Sequence, residues 1–253
     1  MEQQYELFHG DCLEVMDELI KRGVKVDAII CDPPYGTTEC KWDSVISFDE
    51  MWCKLNKLSN NGTPIILFSA QPFTSMLVAS NYKNYKHHWV WKKNRGTGFQ
   101  VAKYRPMMAT EDIIGFSSNG KKINYYPQMI ELDKPYFCKN AKSTNGTNHL
   151  ANFNEGGKWV TKKYPLNILG FDKVSKPLHP TQKPVDLLEY LVKTYTNENE
   201  IVLDFTMGSG STGIACLNTN RKFIGVELDD KYFEIAKNRM EETEKELKPN
   251  FNG

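Results

Sequence analysis

The chain has 253 residues, of which 40% are hydrophobic and 25% are charged, a composition typical of a soluble globular protein. No run of about 18 apolar residues predicts a membrane span, and the first residues lack the basic and then apolar pattern of a secretory leader. We therefore expect a cytoplasmic protein with no membrane partner. The six cysteines form no C-x-x-C pair, so we predict neither a disulfide framework nor a metal site.

Charge is unevenly distributed along the chain. Residues 83–183 carry 18 Lys and Arg against 6 Asp and Glu, whereas the rest of the chain carries 14 against 25. Aromatic residues are interleaved with these positive charges, as in "HHWVWKKNRGTGFQVAKYRP". This pattern is typical of a surface that binds a polyanion and stacks on nucleic-acid bases, although a solvated lysine-rich insertion would show the same charge balance.

Strands and helices alternate along much of the sequence. Short apolar, β-branched runs predict strands, and apolar residues spaced by three and four predict helices. In chain order we predict a helix over 12–22, strands over 26–32, 62–70, 87–93 and 111–117, a helix over 185–196, a strand over 200–206, a helix over 211–219, a strand over 221–228 and a helix over 231–247. The alternation predicts an α/β fold with a mostly parallel sheet and helices on both faces.

From about 118 to 178 neither the strand period nor the helix period persists. A segment of this length is too long for a plain loop in a compact domain. We therefore expect a functional insertion or a partly disordered segment.

The motif "DPPY", residues 32–35, ends the apolar run "AIIC". Prolines cannot donate to a sheet ladder, so the strand must stop here and Asp32 must lie at the carboxyl edge of the sheet, where open α/β folds bind ligands. Two fixed φ angles hold the Asp32 carboxylate and the proline carbonyls rigidly beside the flat ring of Tyr35. The motif thus predicts a stiff pocket rich in hydrogen-bond acceptors.

A second motif, "DFTMGSGSTG", follows a predicted strand and opens a predicted helix. Gly208, Gly210 and Gly213 fit the spacing G-x-G-x-x-G, and Glu227 ends the next strand. In nucleotide-binding folds such glycines admit a ligand close to the backbone, and the acid binds ribose hydroxyls. Taken alone the glycine spacing is a weak signal, because a tight turn with close helix packing also requires glycines.

Taken together, "DPPY" near the N-terminus, "HPTQKP" (179–184), the glycine motif near the C-terminus and a basic region between them resemble the β-class of amino-group DNA methyltransferases. The segments "GDCLEV" (10–15) and "TEDIIGFSS" (110–118) also resemble parts of this family. The resemblance covers nearly the whole chain. It implies a Rossmann-like methyltransferase fold with circularly permuted motif order: a catalytic half over 1–117, a target-recognition insertion over 118–178 and a cofactor-binding half over 179–253.

The resemblance also implies a reaction. A methyl group would pass from S-adenosylmethionine to the exocyclic N6 amino group of an adenine flipped out of double-stranded DNA, with Asp32, Pro33, Pro34 and Tyr35 as the catalytic motif. The cofactor-binding residues implied are Asp11, Asp204, Phe205, Gly208, Gly210, Ser211, Thr212, Glu227, Thr181 and Lys183. Asp11 is expected to bind the cofactor's adenine amino group, Glu227 its ribose, and Lys183 with Thr181 its carboxylate.

Several alternatives stay open at the level of the sequence. Cytosine N4 could be the target, although "SPPY" is more usual there, and RNA or protein amides are further methyl acceptors. The glycine motif alone would also fit a nicotinamide-dependent oxidoreductase, and a DNA-binding protein without activity could keep the fold. His179 could be proposed as a general base, but methyl transfer requires no prior proton abstraction. A homodimer is one expectation for an oligomeric state that the sequence does not decide.

Overall fold

The computed structural model describes residues 4–36, 44–138 and 157–247. Within these residues the chain forms ten strands and six α-helices. In chain order they are β1 (Tyr5–His9), α1 (Cys12–Lys21), β2 (Ala28–Cys31), α2 (Phe48–Leu58), β3 (Pro64–Ser69), α3 (Phe73–Ser80), β4 (Tyr85–Thr97), β5 (Met108–Ser117), β6 (Ile130–Cys138), β7 (Lys158–Lys163), β8 (Ile168–Gly170), α4 (Val185–Tyr195), β9 (Ile201–Asp204), α5 (Ser211–Asn218), β10 (Lys222–Glu227) and α6 (Asp230–Leu247). Every helix and strand predicted from the sequence has a counterpart among them.

Eight strands form one sheet in the order β1-β10-β9-β2-β3-β5-β4-β8. The pairs from β1 to β3 and the pair β4 with β8 are parallel, and β5 is antiparallel to both of its neighbours. The predicted mostly parallel sheet is therefore confirmed. Two strands from the end of the chain, β9 and β10, lie between β1 and β2 from its beginning.

Helices cover both faces of this sheet, as predicted. One face packs against buried residues of α1, α2 and α3, such as Leu19 and Leu55, and the other against α4, α5 and α6. Successive side chains of a strand point to opposite faces of the sheet, so Ile65 of β3 joins the first cluster and Ile66 joins the second. Because helices cover both faces, the central strands are buried on both sides. Burial on both faces explains why these strands are continuous apolar runs.

The order of the strands places four acidic residues at one edge of the sheet. The adjacent parallel strands β1, β10, β9 and β2 all point their carboxyl ends the same way. Asp11 follows β1, Glu227 ends β10, Asp204 ends β9 and Asp32 follows β2. Residues that are far apart in the sequence therefore meet at the edge where α/β folds bind ligands.

The described residues divide into two compact units. One unit takes in the residues up to Tyr126 and from Asn167 onward, and the other takes in the residues between Pro127 and Leu166. The second unit contains the antiparallel pair of β6 and β7. It is narrower than the range 118–178 that we predicted for the insertion, because β8 pairs with β4 and belongs to the main sheet.

Three strands that we did not predict, β6, β7 and β8, lie in the described part of 118–178, where the sequence has no persistent strand period. A register shift between Glu131 and Tyr136, next to Pro135, interrupts the alternation of β6, and β8 has only three residues. Residues 139–156 of the predicted insertion lie outside the described residues.

None of the helices in the described ranges has the length and apolar character needed to cross a membrane.

Candidate active site

A cavity lies at the carboxyl edge of the strands that carry the four acids. Its lining includes every residue of the "DPPY" motif and most of the cofactor-binding residues predicted from the sequence. The predicted residues that line it are Asp11, Asp32, Pro33, Pro34, Tyr35, Thr181, Lys183, Asp204, Phe205, Gly208, Ser211, Thr212 and Glu227. Gly210 is not among the described residues that line the cavity. Other parts of the lining, such as Cys12, Ile46, Leu188 and Met207, are apolar.

The "DPPY" motif is held from within and from the glycine turn. The Tyr35 hydroxyl donates to Asp32 Oδ1 at 2.5 Å, and the Tyr35 ring stacks on Phe73 with centroids 4.9 Å apart. The Thr206 hydroxyl donates to the main-chain carbonyl of Asp32 at 3.0 Å and also contacts Cys31 Sγ at 2.9 Å. Thr206 thus connects the two motifs directly across β2 and β9.

Asp32 is the first of four charged side chains that contact one another in a row. Lys183 Nζ donates to Asp32 Oδ2 and lies 3.4 Å from Glu111 Oε2, and Lys93 donates to Glu111 Oε1. The side chains of Lys93 and Lys183 are only 4% and 8% exposed, so both ammonium groups depend on these carboxylates for compensation. Lys183 also donates to the Thr181 carbonyl at 3.3 Å.

The ion pairs shift the pKa values of three of these four side chains. Burial raises the pKa of Asp32, with Lys183 opposing the effect and Glu111 adding to it. Burial alone would lower the pKa of Lys183, but Asp32 and Glu111 hold that pKa above its ordinary value. Burial alone would raise the pKa of Glu111, yet Lys183 and Lys93 hold it below its ordinary value. Glu111 is therefore the more firmly ionised of the two carboxylates.

The glycine motif forms a tight turn before α5. Gly208 and Gly210 have φ of +53° and +76°, a region that side chains rarely adopt. A Cβ on Gly210 would lie 3.0 Å from Ala236 of α6, and one on Gly213 would lie 2.5 Å from Met240 Sδ. Gly210 and Gly213 therefore allow close packing of helices, and Gly208 shapes the wall of the cavity.

Main-chain amides fix the acidic residues around this turn. Glu227 accepts from the amides of Gly208 at 2.8 Å and Asp229 at 2.9 Å. Asp11 caps α1, because its Oδ1 accepts from the amides of Leu13 and Glu14 at 2.8 and 3.2 Å.

Burial affects the acids of the cavity differently. It raises the pKa of Asp204 to about 6, although bonds from Thr212 and Cys31 oppose the rise. It also raises the pKa of Glu227, against the bonds from the amides of Asp229 and Gly208. An incoming group with positive charge or with hydrogen-bond donors would favour the ionised form of each.

His179 forms part of the wall beside Gly208. Its Nδ1 accepts from the Thr181 amide and contacts the Thr181 hydroxyl at 3.1 Å, and its ring packs edge-on to Tyr232. Burial and the nearby Lys183 lower the pKa of His179 to about 4, so the imidazole is neutral at pH 7. The accepting Nδ1 and the packed ring indicate that His179 shapes the wall and orients Thr181.

Our sequence analysis did not identify Lys93, Glu111 or Thr206 as site residues. A signal for Lys93 was present, because Trp89, Trp91 and Lys93 alternate along β4 and so share one face of the strand. Trp89 and Trp91 are buried, which places a lysine on a buried face and requires a nearby anion. Glu111 on the neighbouring strand β5 is that anion.

Comparisons with known proteins agree with the family resemblance of the sequence. A sequence model of the N6/N4 DNA methylases matches residues 26–238. The Type II methyltransferase M.HpaI of Haemophilus parainfluenzae is 28% identical over 230 residues, 85% of this chain and 68% of that protein. The DNA adenine methyltransferase YhdJ of Escherichia coli (strain K12) is 26% identical over 253 residues, 93% of this chain and 82% of that protein.

A solved structure extends this similarity to three dimensions. The crystal structure of the M1.HpyAVI-SAM complex superimposes with a TM-score of 0.65 at 27% identity, over 93% of this chain and 98% of that one. The family match spans the "DPPY" motif, the glycine turn and the sheet that brings them together. The chain therefore belongs to the N6/N4 family of DNA methylases.

Proposed function

We propose that the protein transfers a methyl group from S-adenosylmethionine to the N6 amino group of adenine in double-stranded DNA, at a specific sequence. One observation carries this proposal: the rigid acceptors of Asp32 and Pro33 line the same cavity as the glycine turn at Gly208. The names of the relatives support the same chemistry, since YhdJ is a DNA adenine methyltransferase and the M1.HpyAVI structure is a SAM complex.

The residues of the cavity suit this methyl donor. S-adenosylmethionine supplies a methyl group on a positively charged sulfur, where an amine nitrogen can attack it. Asp204 and Glu227 provide acceptors for the ammonium group and the ribose hydroxyls, and Phe205 provides an apolar contact beside them. We assign the second oxygen of Asp11 to the adenine amino group, because its Oδ1 already caps α1. The assignment of Thr181 and Lys183 to the carboxylate stays a prediction.

We assign the acceptor role in catalysis to the "DPPY" motif. An exocyclic amino group of a base is a weak nucleophile because its lone pair is delocalised into the ring. As the bond from nitrogen to the methyl group forms, the bond from sulfur to the methyl group breaks and a neutral thioether leaves. Positive charge develops on the nitrogen during the attack, and the methylated nitrogen then loses a proton to solvent. The Asp32 carboxylate and the Pro33 carbonyl would accept the two N–H bonds and stabilise that charge in a site with little water. Tyr35 would stack on the base, since its own ring is fixed by Phe73.

The hairpin of β4 and β5 supports nucleic acid as the substrate. The pairing of Ser69 with Asp112 places the start of β5 beyond the carboxyl end of β3, at the same edge of the sheet as Asp32. The exposed connection from 98 to 107 carries basic residues together with Phe99 and Tyr104, whose exposed fractions are 78% and 88%. Basic and aromatic side chains beside the cavity are suited to phosphates and to unstacked bases.

Mass spectrometry of nucleosides tests the target base. Duplex DNA of mixed sequence is incubated with the enzyme and S-adenosylmethionine and then digested to nucleosides. We expect 6-methyladenine, whereas 4-methylcytosine without 6-methyladenine would assign the enzyme to the other branch of its family. Single-stranded DNA and RNA substrates in parallel reactions test the preference for a duplex. Sequencing of methylated host DNA with detection of modified bases would identify the recognition sequence.

We also propose that the protein acts in the cytoplasm, where its DNA substrate lies. The homodimer considered from the sequence stays a prediction, for which light scattering with and without duplex DNA provides the measurement.

A further inference from the structure

Both carboxylate oxygens of Asp32 are already engaged. Oδ1 accepts from the Tyr35 hydroxyl and Oδ2 accepts from Lys183 Nζ. In the proposed function, Asp32 must accept an N–H bond from the target base. Each carboxylate oxygen can accept a second hydrogen bond, but Lys183 at Oδ2 neutralises the charge that would stabilise the amino group, so Asp32 is a weak acceptor while this ion pair holds.

Glu111 offers a second place for Lys183. Glu111 Oε2 is buried and accepts no hydrogen bond from any residue that the structure describes, and it lies 3.4 Å from Lys183 Nζ. A charge-assisted N–H···O bond is about 2.8 Å long, so a shift of the ammonium group by less than about 1 Å would complete this bond. An unpaired buried carboxylate oxygen is costly, which favours the shift as soon as Asp32 gains another donor.

The four charged side chains can exchange partners without gaining or losing charge. Lys93 and Lys183 match Glu111 and Asp32 in number, so the four side chains together carry no net charge when all are ionised. Lys93 fixes Glu111 Oε1 and leaves Oε2 directed toward Lys183. Movement of Lys183 from Asp32 to Glu111 requires no proton transfer, and the entering amino group takes its place as a hydrogen-bond donor to Asp32.

We propose that Glu111 is a positioning residue that receives Lys183 from Asp32 when the target base enters, so that the charge of Asp32 becomes available to stabilise the amino group. This inference rests on the proposed function, because it assigns Asp32 the acceptor role. Lys183 then has two states: it neutralises Asp32 in the free enzyme and binds Glu111 in the complex with DNA. The cavity thereby keeps a reactive carboxylate compensated until its substrate arrives.

The variant Glu111→Gln tests this exchange. It removes the anion that receives Lys183 but keeps the size of the side chain. We expect the single-turnover rate of methyl transfer, measured with saturating S-adenosylmethionine and duplex DNA, to fall about 100-fold, as for a reacting group displaced by about 1 Å. Affinities for both substrates should change little. The matched control is Asp112→Asn on the next residue of β5, which contacts Thr74 at 2.9 Å and should keep the wild-type rate.

Two further variants separate positioning from a merely structural role. Glu111→Asp keeps the charge and should recover part of the rate. Combining Glu111→Gln with Lys183→Met restores charge balance and removes the ammonium group that neutralises Asp32, so the double variant should be faster than Glu111→Gln alone. Thermal unfolding confirms that each variant is folded, and saturating S-adenosylmethionine in the rate assay offsets any loss of donor affinity that removal of Lys183 causes.

The outcomes separate this inference from the proposed function. If wild-type enzyme methylates no amino group of DNA, the proposed function fails. If wild-type enzyme is active and Glu111→Gln matches its rate, only the role of Glu111 is refuted. A double variant no faster than Glu111→Gln would likewise overturn the exchange, because release of Lys183 would then not be the limiting effect.

Discussion

Replacing Asp32 by Ala should abolish most of the turnover and leave binding of the methyl donor almost intact. The carboxylate is one of two acceptors that we assign to the target amino group. Loss of one preorganised hydrogen-bonding group that stabilises developing charge costs about 100- to 1,000-fold in rate, or about 3 to 4 kcal/mol. Because the proposed contact of Asp32 is made to the base, the dissociation constant of S-adenosylmethionine should change by less than about threefold, or about 0.65 kcal/mol.

The structure also bounds the effect of this substitution on stability. Removing one partner of a buried ion pair typically costs about 3 to 5 kcal/mol because the other charge is left alone. Lys183 would not be alone, since Glu111 Oε2 lies 3.4 Å from its Nζ. We therefore expect Asp32→Ala to remain folded and to lose less than this amount of unfolding free energy.

The assay follows transfer of a radiolabelled methyl group in a single turnover, together with calorimetric titration of the donor. Asp27→Ala is the matched control: Asp27 lies at the opposite end of the same strand, where its carboxylate accepts from the Ile201 amide at 2.8 Å. That variant should lose stability but keep its rate per folded molecule. Loss of donor binding in Asp32→Ala with an unchanged rate at saturation would refute our assignment of Asp32 to the target base.

Three further predictions concern the donor, pH and DNA. Glu227→Gln should weaken donor affinity by about 10- to 150-fold in calorimetry, because it removes charge-assisted hydrogen bonds worth about 1.5 to 3 kcal/mol. Glu189→Gln on α4 should have no effect, because Glu189 accepts from Asn218 and does not line the cavity. Burial raises the pKa of Asp204 to about 6 from its ordinary 3.8, so the folded state disfavours the ionised carboxylate. The free energy of unfolding of the wild type should therefore fall by about 3 kcal/mol as pH rises from 4 through 6. In urea unfolding, the stability of Asp204→Asn relative to wild type should rise between pH 4 and 7, and a difference that does not change with pH would contradict this. Replacing the two exposed lysines Lys158 and Lys163 of β7 by Gln should reduce the slope of log K against log salt by about 2 in DNA titrations, and an unchanged slope would show that neither lysine contacts phosphate.

The sequence predicted the centre of the sheet well because burial leaves a strong pattern there. Strands such as β2 and β3 are buried on both faces and consist of unbroken apolar runs. Edge strand β1 is half exposed and was missed, since its alternation is weak over five residues. Helix α2 was missed despite a clear signal: Met51, Trp52, Leu55 and Leu58 are buried on one face, and the first turn is acidic.

The active site was predicted unevenly for a related reason. "DPPY" and the glycine turn are local patterns, and both could be identified from neighbouring residues. Glu111 belongs to a strand whose pattern is ordinary, and its importance arises only from Lys93 on β4 and Lys183 before α4. Compensation of buried charge is a property of three-dimensional neighbours, so it has no fixed spacing in the sequence.

The two motifs meet although the glycine motif comes after "DPPY" in the chain, because the sheet places β9 beside β2. In a parallel sheet, adjacent strands present their carboxyl ends at one edge, whichever strand comes first in the chain. Here β9 lies beside β2, and the hydroxyl of Thr206 reaches the carbonyl of Asp32 across 174 residues of sequence. The same hydroxyl contacts Cys31, so the third residue of the glycine motif contacts both the end of β2 and the first residue of "DPPY". The two contacts of Thr206 hold the acceptors of "DPPY" beside the glycine turn. They do so although a long basic segment separates the two motifs in the sequence.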